Sequence, residues 1–317
     1  MKISDRSEIL AAGFLPDDAM AGLEARYTVH HYYRDPDPQA LLDRVKHQVV
    51  WMVGTSHASM PASLINALPN LAGVSVYGTG FEKVDVPALS ARQLILTNTP
   101  DVMIEDVADL GIGLILATVR RMCAADRFTR EGRCANGIMP FAHSLQGKTL
   151  GIVGMGRIGK AMAQRASAFN LNLIWYGPRP KPELPYPRYD SLEALARASD
   201  ILLLAMPGSP ETRHMVNAEI LDCLGPDGTL INLARGMVVD EAALVAALKT
   251  GRLGAAGLDV FEDLAHPSPE LFDMDNVVLS PHRGSATFES RHAMAQLFLA
   301  NVHAFFEGKP PRSLVDI

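Results

Sequence analysis

Cysteine is scarce: Cys123, Cys134 and Cys223 are the only three in 317 residues. An odd number at scattered positions suits neither a disulfide framework nor a zinc site, and a reducing cytoplasm is the expected compartment. No basic run occurs, and a net charge of −6 argues against a nucleic-acid surface. The most apolar stretch, residues 110–119, covers only about half of the ~20 residues that a membrane span needs. The opening residues 1–6 lack the apolar core of a signal peptide. Neither a metal, a nucleic acid nor a membrane is therefore expected as a partner. What remains is the composition of a soluble globular protein, 48% hydrophobic and 20% charged. Its length is large for one core, so two domains are expected.

The chain is organised around residues 147–159. Residues 149–153 are largely apolar and partly β-branched, and they predict a buried strand. Gly154, Gly156 and Gly159 follow in the spacing G-x-G-x-x-G. Apolar residues then recur at helical spacing, at Ile158, Ala161, Met162, Ala166 and Phe169. Glycine-rich turns are common, but this one has the strand before it and the helix after it that a dinucleotide fingerprint requires. In that reading Gly154 permits the tight turn, Gly156 lets the backbone approach a pyrophosphate, and Gly159 lets helix and strand pack closely. The helix N-terminus offers its free N–H groups to the phosphates.

Before this motif, residues 1–100 read as a small α/β unit. A short apolar piece covers 9–15, helices are predicted over 19–25 and 61–68, and strands over 49–53 and 71–77. Alternating strands and helices argue for a parallel sheet. The second strand ends in Gly78-Thr79-Gly80, where the loop amides either hold a carboxylate, as backbone nests do, or form an ordinary tight turn. Residues 105–121 predict a helix with small and apolar residues on more than one face, which suits burial between domains or subunits. Residues 132–144 read as irregular.

After the fingerprint, strands are predicted over 171–176, 201–205, 229–233, 255–260 and 277–280, with helices over 192–198, 241–250 and 288–306. Asp190 and Glu193 have the spacing of a capping box, and Asp240 is placed to cap the helix after it. A dinucleotide site usually carries an acid near the end of its second strand, for the ribose hydroxyls. Here the chain reads Gly177-Pro178-Arg179-Pro180-Lys181. An acid would repel a 2′-phosphate, whereas Arg179 can pair with one. The alternative is a proline-stiffened solvated loop. The two features together favour NADP over NAD.

Arg235, Asp259 and His282 sit at or near the ends of successive predicted strands. Each alone reads as a surface arginine, a turn aspartate or an edge histidine. Their joint placement on the edge facing a dinucleotide points to chemistry. Hydride transfer to a 2-oxo acid needs a cation for the carboxylate and a proton donor for the developing alkoxide. Arginine supplies the first in a bidentate grip, and histidine the second near neutral pH.

These motifs resemble those of the D-isomer-specific 2-hydroxyacid dehydrogenases, particularly the glyoxylate/hydroxypyruvate reductase branch. The resemblance covers nearly the whole chain. It rests on residues 78–80, 97–100, 107–109, 154–159, 232–236, 258–260 and 281–285. It implies a Rossmann-type doubly wound parallel sheet over 101–285, plus a smaller flavodoxin-like α/β substrate-binding domain from 1–100 and 286–317. It implies that the Thr79 and Gly80 amides bind the substrate carboxylate, that Arg235 grips carboxylate and ketone, and that His282 is the acid/base. Asp259 would hold the nicotinamide carboxamide, Arg157 and Ile158 would lie on the pyrophosphate, and Arg179 on the 2′-phosphate. Gly177, Met206, Pro207, Thr212, Leu233, Ala234, His282 and Gly284 would complete the cofactor site. The active site would be a cleft that closes on substrate, in a homodimer formed through the cofactor domain.

Two positions depart from the family pattern. Relatives carry a glutamate five residues after the strand aspartate, which pairs with the catalytic histidine and raises its pKa. Here that position is Leu264, with Glu262 and Asp263 beside it. Cys134 stands where relatives often have tryptophan. The expected activity is NADPH-dependent reduction of glyoxylate or hydroxypyruvate. Its rivals are a reductase of bulkier aryl-pyruvates and a weakly catalytic, cofactor-sensing binding protein, which the missing glutamate favours and Arg235 with His282 opposes.

Overall fold

The computed structural model describes residues 7–317; residues 1–6, read above for a signal peptide, lie outside the described residues. The chain divides into two compact units, Met1–Met103 with Thr287–Ile317, and Ile104–Ala286.

The first unit alternates strand and helix: β1 (Glu8–Ala11), α1 (Asp17–Glu24), β2 (Thr28–His31), α2 (Pro38–Val45), β3 (Val49–Thr55), α3 (Ala62–Asn66), β4 (Gly73–Tyr77), α4 (Val86–Ala91) and β5 (Ile95–Thr97). The five strands pair in parallel in the order β2-β1-β3-β4-β5, the flavodoxin-like order. Parallel strands covered on both faces must be apolar throughout, and every residue of β4 is buried. Four elements of this unit were not read from sequence: β2, α2, α4 and β5. The two helices carry starts that are legible afterwards. Asp37 accepts from the Ala40 N–H and Asp85 from the Ala88 N–H, each with a proline in the first turn.

The second unit opens with α5 (Ile104–Val119) and α6 (Met122–Arg130). It continues through β6 (Thr149–Val153), α7 (Arg157–Ser167), β7 (Asn172–Tyr176), β8 (Arg188–Tyr189), α8 (Leu192–Arg197), β9 (Ile201–Leu204), α9 (Ala218–Leu224), β10 (Thr229–Asn232), α10 (Glu241–Lys249), β11 (Ala255–Leu258) and β12 (Val277–Leu279). The parallel sheet runs β12-β11-β10-β9-β6-β7-β8. The chain winds outward in one direction from β6 to β8 and in the other from β9 to β12, so the strand order reverses between β6 and β9. That reversal is the switch point where open α/β sheets bind ligands. The α8 cap departs from expectation. Ser191, not Asp190, is the N-cap; the helix starts one residue later than a cap at Asp190 implies, so the capped donor is the Ala194 N–H rather than that of Glu193. Asp240 does cap α10, accepting from Ala243 N–H.

Close approach explains two glycines. A Cβ on Gly111 of α5 would lie 2.5 Å from Leu233 Cδ1 and from Met162 Sδ, so glycine lets α5 settle on α7 and the end of β10. Gly159 faces the Gly154 carbonyl across the fingerprint turn with no room for a side chain.

The last helix, α11 (Phe288–Phe306), belongs to the first unit. It buries Met294, Phe298 and Val302 to 2% exposure or less, each a gain of about 1.5–3 kcal/mol over exposure. Phe298 meets Tyr77 edge-on at 5.9 Å, Phe305 lies 4.2 Å from Trp51, and the Tyr77 hydroxyl donates to the Arg291 carbonyl. Among the described residues no helix is long and apolar enough to cross a membrane, and no cluster of three or more His, Cys, Asp or Glu could hold a metal.

Candidate active site

Four strand ends of the second sheet lie on one row. Leu204 is level with Asn232, Asn232 with Leu258, and Leu258 with Leu279. Val153, the last residue before the fingerprint turn, is level with Leu204. Arg235 therefore emerges three residues beyond the edge of β10, Asp259 one beyond β11, and His282 three beyond β12. Parallel register alone puts these three at the same edge as the glycine-rich turn.

Arg235 follows a turn built by Asn232. The Asn232 carboxamide accepts from the Ala234 N–H at 3.0 Å and donates to the Arg235 carbonyl at 3.2 Å. The Arg235 Nη1 donates to the Ala234 carbonyl at 2.9 Å. Gly208, in the loop after β9, forms a wall for the side chain, since a Cβ there would sit 2.7 Å from Arg235 Cγ. That loop carries Met206 and Pro207 and is folded by Thr212, whose Oγ1 accepts from the Ser209 N–H at 2.8 Å.

His282 is held in the left-handed region, φ 55°, which costs a non-glycine residue roughly 1–2 kcal/mol. Asp259 supplies the restraint. Its carbonyl accepts from the His282 N–H at 2.8 Å. Its carboxylate, 3% exposed, accepts from Ser280 Oγ at 2.5 Å, from the Arg283 N–H at 2.7 Å and from the Gly284 N–H at 3.0 Å. A Cβ on Gly284 would lie 3.3 Å from Asp259 Oδ2 and 3.2 Å from Val107 Cγ2, so glycine allows the approach. Asp259 thus grips the loop on both sides of His282. Sequence reasoning assigned Asp259 to the cofactor and missed this grip and Ser280.

The fingerprint turn fits a dinucleotide. Gly154 has φ 96°, which only glycine adopts freely. Gly156 is the residue before α7, and a Cβ there would meet nothing within 4 Å. No internal packing demands glycine at 156, so the open space over the helix N-terminus, flanked by exposed Arg157 and by Ile158, suits a pyrophosphate. Beyond β7, Arg179 is exposed, and the Gly177 carbonyl accepts from Arg188 Nη2 at 3.1 Å. The first acid after Tyr176 is Glu183, which pairs with Lys160 at 3.3 Å. Lys181, which sequence reasoning passed over, donates to the Met155 carbonyl at 2.7 Å and so sets a second cation on the fingerprint turn. A basic residue two positions after Arg179 was the available signal.

Thr79 and Gly80 lie at the C-terminal end of β4 in the first unit. Gly78 has φ 138°, and its N–H donates to Thr99 Oγ1 at 3.0 Å. The Thr79 carbonyl accepts from Asn98 Nδ2 at 2.8 Å. Among the described residues the Thr79 and Gly80 N–H groups donate to no protein acceptor, as a nest awaiting an anion would require.

Leu264 is 42% exposed. The neighbouring carboxylates have their own partners. Glu262 Oε1 accepts from Arg213 Nη2 and His214 Nε2, both at 2.8 Å. Asp263 pairs with His266 Nδ1 at 3.0 Å, a bond that holds its carboxyl below the usual carboxylate range.

The profile of the D-isomer-specific 2-hydroxyacid dehydrogenase NAD-binding domain matches residues 112–284. A glyoxylate/hydroxypyruvate reductase A of Arabidopsis thaliana is 45% identical over 287 residues, 90% of this chain and 92% of that protein. A hydroxyphenylpyruvate reductase of Plectranthus scutellarioides is 45% identical over 288 residues, 91% of this chain and 92% of that one. Among solved structures, an NADPH-dependent glyoxylate/hydroxypyruvate reductase of Sinorhizobium meliloti, in complex with NADP and malonate, superposes with a TM-score of 0.90 at 35% identity, covering 98% of this chain and 97% of that one. Register-aligned Arg235, Asp259 and His282, the fingerprint turn and these likenesses place the chain in the D-isomer-specific 2-hydroxyacid dehydrogenase family, in its glyoxylate reductase branch.

Proposed function

We propose that this enzyme reduces glyoxylate or hydroxypyruvate to the D-2-hydroxy acid with NADPH. The observation that carries the reading is the row of strand ends that brings Arg235 and the Asp259-gripped His282 to the edge bearing the fingerprint turn. The Arg235 guanidinium pairs with the substrate carboxylate and lies against the ketone oxygen, drawing negative charge toward it. His282 delivers its imidazolium proton to the ketone oxygen as that oxygen becomes an alkoxide, and takes it back in the oxidative direction. When bound, the nicotinamide supplies the hydride. Gly154, Gly156, Arg157, Ile158 and Gly159 would hold its pyrophosphate, and Arg179 with Lys181 the 2′-phosphate.

We assign the enzyme to a homodimer through the cofactor unit, in a reducing cytoplasm. The free thiols of Cys123, Cys134 and Cys223 favour that compartment. The irregular segment after α6 presents Ile138 and Phe141 at 90% and 94% exposure, and α5 keeps several half-buried apolar side chains besides those in the core. Apolar side chains so bare in a single copy favour a partner copy that covers them.

The equal identity to a hydroxyphenylpyruvate reductase supports one second reading, a pocket for aryl-pyruvates. NADPH oxidation against glyoxylate, hydroxypyruvate and hydroxyphenylpyruvate, each repeated with NADH, separates them: the highest kcat/KM is expected for one of the two small acids with NADPH. In the same assay His282→Ala should lower kcat by roughly 10²–10⁴, the usual worth of a general acid. Near-normal turnover of that variant would remove the proton-donor assignment.

A further inference from the structure

Glu241 is the first residue of α10 and is only 9% exposed. Its carboxylate does not serve its own helix, because Asp240 already caps it at the Ala243 N–H, 3.0 Å away. It turns to the loop that follows β11. One oxygen accepts from the Glu262 N–H at 3.0 Å, and the other from the Ser268 N–H at 2.9 Å and from Ser268 Oγ at 2.6 Å. Both ends of the 262–268 loop are thereby tied to a single buried carboxylate.

The tied loop is also the floor of the Arg235 turn. Gly236, directly after Arg235, lies so close to the Phe261 carbonyl and the Glu262 nitrogen that no Cβ fits. A third segment closes the ring. The Glu262 side chain holds Arg213 and His214, and the His214 N–H donates to the Met237 carbonyl at 2.8 Å, within the Arg235 turn itself. The turn is thus bounded by the 213–214 loop on one side and by the Phe261–Glu262 peptide on the other, and the second boundary is kept in place by Glu241.

We infer that Glu241 is a positioning residue for Arg235: it fixes the Phe261–Glu262 peptide against which the Arg235 turn rests, and so sets where the guanidinium meets the substrate carboxylate. A carboxylate buried with three donors loses far more than an exposed one when removed. The displacement needed is small, since about 1 Å of misplacement can cost 10²-fold. This inference depends on Arg235 being the cation for the 2-oxo acid.

The test uses the full chain and steady-state NADPH oxidation with glyoxylate. Glu241→Ala should raise KM for glyoxylate by about tenfold while KM for NADPH stays within about twofold. Glu241→Gln keeps one acceptor oxygen but sets its NH₂ against either the Glu262 or the Ser268 N–H, so it should raise KM for glyoxylate in the same direction as Glu241→Ala and by less. A purely structural role would lower Tm and leave both constants alone, or shift them together, and either result overturns the inference. If Glu241→Ala does not fold, Ser268→Ala removes one of the three bonds and is read on the same constants; an unchanged KM for glyoxylate overturns the inference in that case too. Arg235→Lys, measured alongside, tells the two failures apart. Should it leave KM for glyoxylate unchanged, the reading of Arg235 itself is wrong. Should it raise that constant while Glu241→Ala does not, only the positioning role of Glu241 falls.

Discussion

Asp259→Asn tests how the catalytic loop is held. The aspartate carboxylate accepts three hydrogen bonds, from Ser280 Oγ, Arg283 N–H and Gly284 N–H, at 3% exposure. Asparagine offers one oxygen and one NH₂. With its oxygen toward Ser280 and Arg283, the NH₂ faces the Gly284 N–H; turned over, it faces the Arg283 N–H. In either orientation one charge-assisted bond, worth about 1.5–3 kcal/mol, is lost and a buried donor points at a donor. That loss is set against the roughly 1–2 kcal/mol that the left-handed backbone of His282 costs. The loss is comparable to the strain energy or larger, so the loop should spend less of its time in the conformation that presents His282. At about 1.4 kcal/mol per factor of ten, kcat with NADPH and glyoxylate should fall by roughly 10- to 150-fold. Ser280→Ala removes one bond and leaves both N–H groups paired, so it should fall less, by about two- to tenfold. The assay is kcat at saturating NADPH and glyoxylate, with Tm measured to confirm folding. If Asp259→Asn keeps kcat within about threefold of the parent, Asp259 does not govern the placement of His282.

Three further outcomes are expected. Arg179→Ala should lose about 1.5–3 kcal/mol in kcat/KM with NADPH and little with NADH, and Lys181→Ala should act in the same direction; equal losses with both cofactors would take these cations away from the 2′-phosphate. Leu264→Glu restores a carboxylate at the family position, and since an adjacent negative charge favours imidazolium, the basic limb of the kcat/KM profile should move to higher pH; an unmoved limb would mean that a carboxylate at 264 does not act on His282. In the first unit, burial and then the charge of Arg26 push His303 below its ordinary 6.5, so the fold favours its neutral form. Its contribution is complete above about 6.5 and is lost as pH falls below that value toward the folded pKa; urea unfolding should show the parent losing stability relative to His303→Asn between about pH 7.5 and 5, and a constant difference would discard the effect.

What could be read from the sequence was what lies contiguous along it. The fingerprint glycines, the apolar strands and the polar residues just beyond their ends needed only local spacing, and parallel pairing then brings such strand ends level. The unread elements fail for a physical reason. β2 is an edge strand whose four residues are all half-buried, so Thr28, Val29, His30 and His31 show no alternation. α2 and α4 were announced only by Asp37 with Pro38 and by Asp85 with Pro87, a cap and a first-turn proline that also occur in ordinary turns.

The polar frame of the site was hidden more deeply. Asp259 reaches backbone N–H groups 24 and 25 residues away, and Glu241 reaches one 21 residues away and another 27 away. A backbone N–H is common to every residue except proline, so no residue type marks it as the target of a carboxylate. Gly236 and Gly284 lay within the family motifs, but nothing in those motifs marked the Phe261 carbonyl or the Asp259 carboxylate that each admits. The residues proposed to meet a ligand were therefore legible by type, an arginine and a histidine beyond strand ends. Of the acids proposed to aim them, Asp259 was legible as a cofactor residue and Glu241 only as a helix start. Their work depends on which loops the sheet brings together, and a substitution at either acid should alter catalysis through those loops.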